Sequence, residues 1–248
     1  MKIIATDLDR TLFSNGKEKI RENAMEEFKG LVERNDVELV FVTGRYLKLM
    51  RDGISKYQPP LAKYYICDVG TSIYNEEFER VKEWDEVQTK IWNMHDSSYI
   101  REVLSEVTFL KEQEKIKQNK FKQSYYVEDG ENVDLVLKKL EEAKIKCEVI
   151  YSYDTEEEIG LLDVQPKGIN KEGALEFVRS KLGVSKRDVL YSGDSGNDYH
   201  PLTAGYKGVL VGNAHDDLKK KLEGKVYIAK ENYVLGIIEG AKHYAFFK

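Results

Sequence analysis

Asp7 and Asp9 stand one residue apart in Thr6-Asp7-Leu8-Asp9-Arg10-Thr11-Leu12. Two carboxylates so spaced can divide the labour of phosphoryl transfer, one attacking phosphorus while the other carries a proton to and from the leaving oxygen. Alone, Asp-x-Asp is more commonly a solvated turn. A second stretch, Phe41-Val42-Thr43-Gly44-Arg45, puts a hydroxyl and then a glycine just before a helical run that begins near Tyr46. The Thr43 hydroxyl and the amides around Gly44 suit a phosphate oxygen at a helix start, and they equally suit a plain helix cap. A third, Gly168-Ile169-Asn170-Lys171-Glu172-Gly173-Ala174, sets an ammonium at another helix start. Lys171 could neutralise a carboxylate and a phosphoryl group together, or be merely solvated. The most specific stretch is Ser192-Gly193-Asp194-Ser195-Gly196-Asn197-Asp198, where two aspartates four residues apart on a glycine-containing turn can offer hard oxygen ligands to Mg²⁺.

Each stretch falls at the end of a predicted strand or the start of a predicted helix. Short runs rich in β-branched and aromatic residues at 2–6, 37–43, 63–68, 188–193, 207–211 and 225–229 read as buried strands. Between them, Ile20 to Arg34, Glu172 to Leu182 and Asp216 to Leu222 carry apolar residues at helical spacing. Alternating strand and helix predicts an α/β fold, a doubly wound parallel sheet with helices on both faces, whose ligands bind at the carboxyl ends of strands. Residues 82–162 break the rhythm, with strand-like segments at 107–111, 121–128 and 147–153 and a helical run at 133–144. This reads as an inserted α+β module, leaving 1–81 and 163–248 as the core domain.

The chain has 248 residues and a formal charge of -5, which gives no general attraction to nucleic acid or to an anionic membrane. A small molecule is the expected partner. The opening residues reach charge too early for a signal-peptide core, and no run of about 18 apolar residues occurs, so a cytoplasmic location is the default. Cys67 and Cys147 have no metal-binding or redox spacing and read as buried thiols. The four histidines show no cluster spacing, and nothing marks an oligomeric state.

Taken in order, Asp7/Asp9, Thr43, Lys171 and Asp194/Asp198 resemble the four motifs of the haloacid dehalogenase superfamily, and the insertion looks like its C2B-type cap. Val69-Gly70-Thr71-Ser72-Ile73-Tyr74, Val211-Gly212-Asn213-Ala214, Gly193 to Asp198 and Phe121-Lys122-Gln123-Ser124-Tyr125 are similar to segments of sucrose-phosphate phosphatases. Mannosylfructose-phosphate and other sugar-phosphate phosphatases share the branch. The resemblance implies an aspartyl-phosphate on Asp7, with Asp9 as acid and base and Thr43, Gly44, Asn197 and Lys171 around the phosphate. It implies Mg²⁺ held by the Asp7 carboxylate, the Asp9 backbone carbonyl and Asp194, with Asp198 supporting the site. Gln113, Lys122 and Tyr125 in the cap are the residues expected to meet the leaving group, beneath a cap that closes over the core. Arg10, where many relatives carry a small or amide residue, is expected to point away from the metal. Two other classes fit part of the pattern: a phosphosugar mutase of the phosphomannomutase type, and an inert phosphate-binding regulatory module. The first would need an arginine clamp for a second phosphate, yet Arg80 and Arg101 are the only arginines near the cap; the second would need neither the cap nor the Gly193–Asp198 turn.

Overall fold

The computed structural model describes residues 1–128, 133–154 and 158–248. They form two compact units, Met1–Arg80 with Lys171–Lys248, and Val81–Asn170.

The first unit is built on a seven-stranded sheet. Its strands are β1 (Lys2–Thr6), β2 (Val37–Val42), β3 (Tyr64–Cys67), β4 (Ser72–Asn75), β9 (Val189–Gly193), β10 (Lys207–Leu210) and β11 (Tyr227–Ile228), in the order β11-β10-β9-β1-β2-β3-β4. All neighbours are parallel except β3 and β4. Strands covered on both faces must be apolar at consecutive positions, and Ile3, Ile4 and Ala5 are all fully buried, as are Val40, Phe41 and Val42. On one face Ile4, Leu39, Phe41, Leu190 and Val209 join a core with helices α1 (Ala24–Asn35), α2 (Leu47–Tyr57) and α9 (Tyr233–His243). In α1 the buried Ala24, Phe28, Leu31 and Val32 recur at the spacing that makes one stripe. The helix ends where Asp36 turns left-handed at φ 50°. Helix α6 (Lys171–Lys181) packs against β3 and against α7 (Tyr199–Thr203), and α8 (Asp216–Leu222) follows β10. The predicted start of α1 at Ile20 is too early: Ile20 packs on the core from the segment before the helix.

The second unit has its own sheet, β5 (Leu110–Glu112), β6 (Gln123–Val127), β8 (Ile159–Pro166) and β7 (Cys147–Asp154) in that order and antiparallel throughout. Helices α3 (Lys82–Ile91), α4 (Ser97–Val103) and α5 (Val133–Glu142) belong to it, and its core gathers Trp92, Ile100, Phe121, Val136, Leu140 and Leu162. The expected boundary at 162 cuts through β8, which pairs with β7 as far as Pro166, so this unit runs on to Asn170. The half-buried alternation of Ile159 to Val164 is that of a sheet with one open face, unlike the central strands of the first unit, which are buried at consecutive positions.

Helix α9 lies close on β10, and a Cβ at Gly240 would come within 2.4 Å of the Val209 side chain. Gly240→Ala is therefore expected to cost about 1–3 kcal/mol by overpacking, offset only in part by alanine's helix propensity of about 1 kcal/mol. Urea unfolding measures it, and adding Val209→Ala should recover part of the loss.

Candidate active site

The central strands β9, β1 and β2 are neighbours and parallel, so their carboxyl ends bring Asp194, Asp7 and Thr43 to one edge of the sheet. The Asp7 amide donates to Ser192 O at 2.9 Å, and the Ser192 hydroxyl donates to Thr6 Oγ1 at 2.8 Å, tying the ends of β1 and β9 together. Thr43 leaves β2 with its amide bonded to Ile66 O and its carbonyl accepting from Val69 N. Its hydroxyl accepts from the Arg45 amide at 3.1 Å, folding the Gly44 turn over itself. Asp68 and Val69, both left-handed at φ 53° and 56°, supply the strap, since Asp68 N donates to Arg45 O. Two successive non-glycine residues in this region are strained, a state found where surrounding structure fixes a functional loop.

Lys171, the first residue of α6, is 1% exposed and spends its three protons on three acceptors: Asp7 Oδ1 at 2.7 Å, Asp198 Oδ1 at 2.8 Å and Asn197 Oδ1 at 2.9 Å. Burial alone would lower its pKa, but the charges of Asp198 and Asp7 outweigh this and hold it above the usual lysine range. Asp198 is saturated. Oδ1 also accepts from Tyr191 at 2.6 Å, while Oδ2 accepts the Asp194 and Ser195 amides at 3.1 and 3.2 Å. With Ser195 it forms a capping box, and Gly193 makes room for it, because a Cβ there would meet Asp198 Cγ at 2.4 Å.

One carboxylate oxygen from each of Asp7, Asp194 and Asp198 falls within 4.8 Å of the other two. Burial, above all, raises the pKa of Asp7 well beyond the carboxylate range; Lys171 opposes this, while Asp198, Asp194 and Asp9 add to it. Burial and then the Asp198 charge push Asp194 up to about 7, against the pull of Lys171 and Arg10. Three buried oxygen donors with more negative charge than one lysine offsets are a fitting set for a hard divalent cation. Since Asp198 is already fully bonded, Asp7 and Asp194 are the better direct ligands and Asp198 the better support.

Asp9 departs from this cluster. Arg45 grips its carboxylate as a fork, Nε to Oδ2 at 2.8 Å and an NH2 to Oδ1 at 2.5 Å, and Asn15 Nδ2 donates to Oδ1 at 2.7 Å. Arg10 corrects an expectation outright: it turns toward the cluster, with Nε 3.3 Å from Asp194 Oδ2. The turn follows from its backbone, left-handed at φ 55°. Arg45, Arg10, Asn15, Tyr191 and Asn213 had no motif-level signal beyond their place beside or within the quoted stretches.

Among the residues expected to meet a leaving group, Gln113 and Lys122 are buried polar residues of the second unit. Gln113 Nε2 donates to Tyr125 O at 2.9 Å, and Lys122 Nζ lies 3.6 Å from Asp163 Oδ1. Tyr125 is a correction. Alternation along β6 puts it on the same side as Val127, inside the unit's hydrophobic core, and opposite Ser124.

A parallel sheet with this constellation at its carboxyl edge defines a phosphatase of the haloacid dehalogenase type. The match to the model of the sucrose-6F-phosphate phosphohydrolase family covers residues 1–245, and the chain belongs to that family. A HAD-like hydrolase of Nitrosococcus oceani is 30% identical over 98% of this chain and 71% of its own length. The 5-amino-6-(5-phospho-D-ribitylamino)uracil phosphatase of Bacillus subtilis is 29% identical over 98% of this chain and 96% of its own. The sucrose-phosphatase of Synechocystis, solved with sucrose and phosphate, shares the fold at a TM-score of 0.83 and 23% identity, covering 98% of both chains. No helix among the described residues is long and apolar enough to cross a membrane.

Because Asp7 and Asp194 hold protons more tightly folded than unfolded, the stability linked to them is full below the ordinary carboxylate pKa and is lost as pH rises through their raised folded values, about 7 for Asp194. In EDTA the melting temperature should rise as pH is lowered from about 8 to about 5.5. Added Mg²⁺ should stabilise more at the upper pH, where protons compete less. Equal Mg²⁺ shifts at both ends would contradict the assignment of these carboxyls to a cation.

Proposed function

We propose that the chain is a Mg²⁺-dependent phosphomonoesterase acting on a sugar phosphate, with a sucrose-6-phosphate-like disaccharide phosphate as the first candidate. The observation that carries the chemistry is Asp7 itself, buried at a strand end with one oxygen 2.7 Å from the Lys171 ammonium. The Asp7 carboxylate attacks phosphorus, the bond from phosphorus to the leaving oxygen breaks, and Asp9 delivers a proton to that oxygen. Water then attacks the aspartyl-phosphate, giving its proton to Asp9, and free phosphate leaves with Asp7 restored. Lys171 and the Thr43 hydroxyl offset the phosphoryl oxygens, with the Gly44 amide and Asn197 beside them. Mg²⁺, held by Asp7 and Asp194 with the Asp9 carbonyl, would supply charge neutralisation for the phosphoryl group. In this structure Asp9 is gripped by Arg45, so acid catalysis requires it to exchange that fork for the leaving oxygen. Asp198 acts by fixing Lys171 and the Asp194 amide.

The substrate class rests on family membership, which also favours water over a second sugar as phosphoryl acceptor. Gln113 and Lys122 are the candidates for contact with sugar hydroxyls; Tyr125 is not. The test is phosphate release with Mg²⁺ from sucrose 6-phosphate, mannosylfructose phosphate, hexose monophosphates and the ribitylaminouracil phosphate, beside Asp7→Asn. A disaccharide phosphate should lead by about 10²-fold in kcat/KM, and Asp7→Asn should lose more than about 10³-fold. A lead for the ribitylaminouracil ester would move the substrate, and activity surviving Asp7→Asn would remove the mechanism.

A further inference from the structure

Arg10 is held through its amide, its carbonyl and two of its three guanidinium nitrogens. Its amide donates to Asn15 Oδ1 at 2.6 Å and its carbonyl accepts from Asn213 Nδ2 at 2.6 Å. Its guanidinium donates to Asp194 Oδ2 at 3.3 Å, to the Asn213 carbonyl at 3.1 Å and to Glu18 Oε1 at 3.2 Å. The partners are themselves joined. Asn213 Oδ1 accepts from the Tyr233 amide at 2.8 Å, and the Tyr233 hydroxyl bonds the Glu18 carboxylate. A closed circuit thus runs from the loop after β1 through the loop after β10 to the start of α9. An arginine at φ 55° is strained relative to ordinary backbone, and a residue kept there by so many bonds signals a role for its side chain.

We propose that Arg10 is a positioning residue that orients Asp194 for the divalent cation, an inference that rests on the reading of this site as a Mg²⁺ centre. By bonding Oδ2, the guanidinium turns Oδ1 toward the cation, an oxygen whose hydrogen bond among the described residues is a long 3.4 Å contact from the Thr11 hydroxyl. Orientation and charge pull in opposite directions here, because a guanidinium near a cation also repels it. Glu18 decides the sign. It is held below the usual carboxylate range, first by the Tyr233 hydrogen bond and in part by Arg10, so it is ionised at neutral pH and offsets the guanidinium charge. What remains is the contact with Asp194, of the kind whose loss weakens metal binding by roughly 10–100-fold.

The experiment is calorimetric titration of Mg²⁺ into the full chain after EDTA treatment and dialysis, for the wild type, Arg10→Ala, Arg10→Lys and Glu18→Gln, with melting curves in EDTA for each. Arg10→Ala should bind Mg²⁺ about tenfold more weakly or worse, with phosphatase activity recovering at high Mg²⁺. Arg10→Lys should not restore affinity, because one ammonium cannot reproduce the fork to three partners. Glu18→Gln should weaken binding in the same direction, by exposing the guanidinium charge and loosening its anchor, and it decides the matter if Arg10→Ala gives no cooperative melt. Unchanged or tighter Mg²⁺ binding in a folded Arg10→Ala overturns the role while leaving the metal centre intact. A wild type that binds no Mg²⁺ overturns both.

Discussion

The ammonium of Lys171 is the charge on which the first unit's catalytic edge depends. Isolated carboxylates at this depth would take up protons rather than stay ionised. One buried lysine with three acceptors makes it possible for Asp7 and Asp198 to lie side by side, and it does so from the first turn of α6, whose packing against β3 fixes where that turn begins. The same bond set explains why Asp198 is so fully engaged. It holds the lysine on one oxygen and the amides of Asp194 and Ser195 on the other, so it ties the loop after β9 to the start of α6. Breaking such a buried pair by removing one partner leaves the other charge stranded, at a cost of several kcal/mol.

The α/β fold was legible because strands buried on both faces must be apolar at consecutive positions, as Ile3 to Ala5, Leu39 to Val42 and Val189 to Tyr191 are. Their polar ends then mark the edge where chemistry can occur, so Asp7, Thr43 and Asp194 could be placed there from pattern, while bringing Lys171 to the same site was what the family resemblance implied. What escaped is of a different kind. Arg10 and Asn213 are joined by hydrogen bonds between residues about two hundred positions apart, and nothing local distinguishes such a pair from surface polar residues. Arg45 lies inside a quoted stretch, yet its fork on Asp9 depends on two loops meeting. The misplaced Tyr125 is a matter of register, since along a strand one position decides between the core and the open face. Strand β8 was missed because its alternation suits a one-sided sheet and was cut by a boundary drawn for the two-sided one.

The first unit is discontinuous, and its central strand β1 is flanked by β2 from the segment before the second unit and by β9 from the segment after it. While a ribosome is still translating, the leading segment can assemble the part-sheet β1-β2-β3-β4, but it exposes one whole side of β1 and carries Asp7 without its lysine. The intervening residues have a complete sheet and core of their own and can collapse as they emerge. The edge left by β1 must then stay unpaired until β9 arrives, well over a hundred residues later, a long wait for an apolar strand that could pair with another nascent chain. Chaperone binding to the leading segment on the ribosome is the place where this architecture would make its demand on the cell.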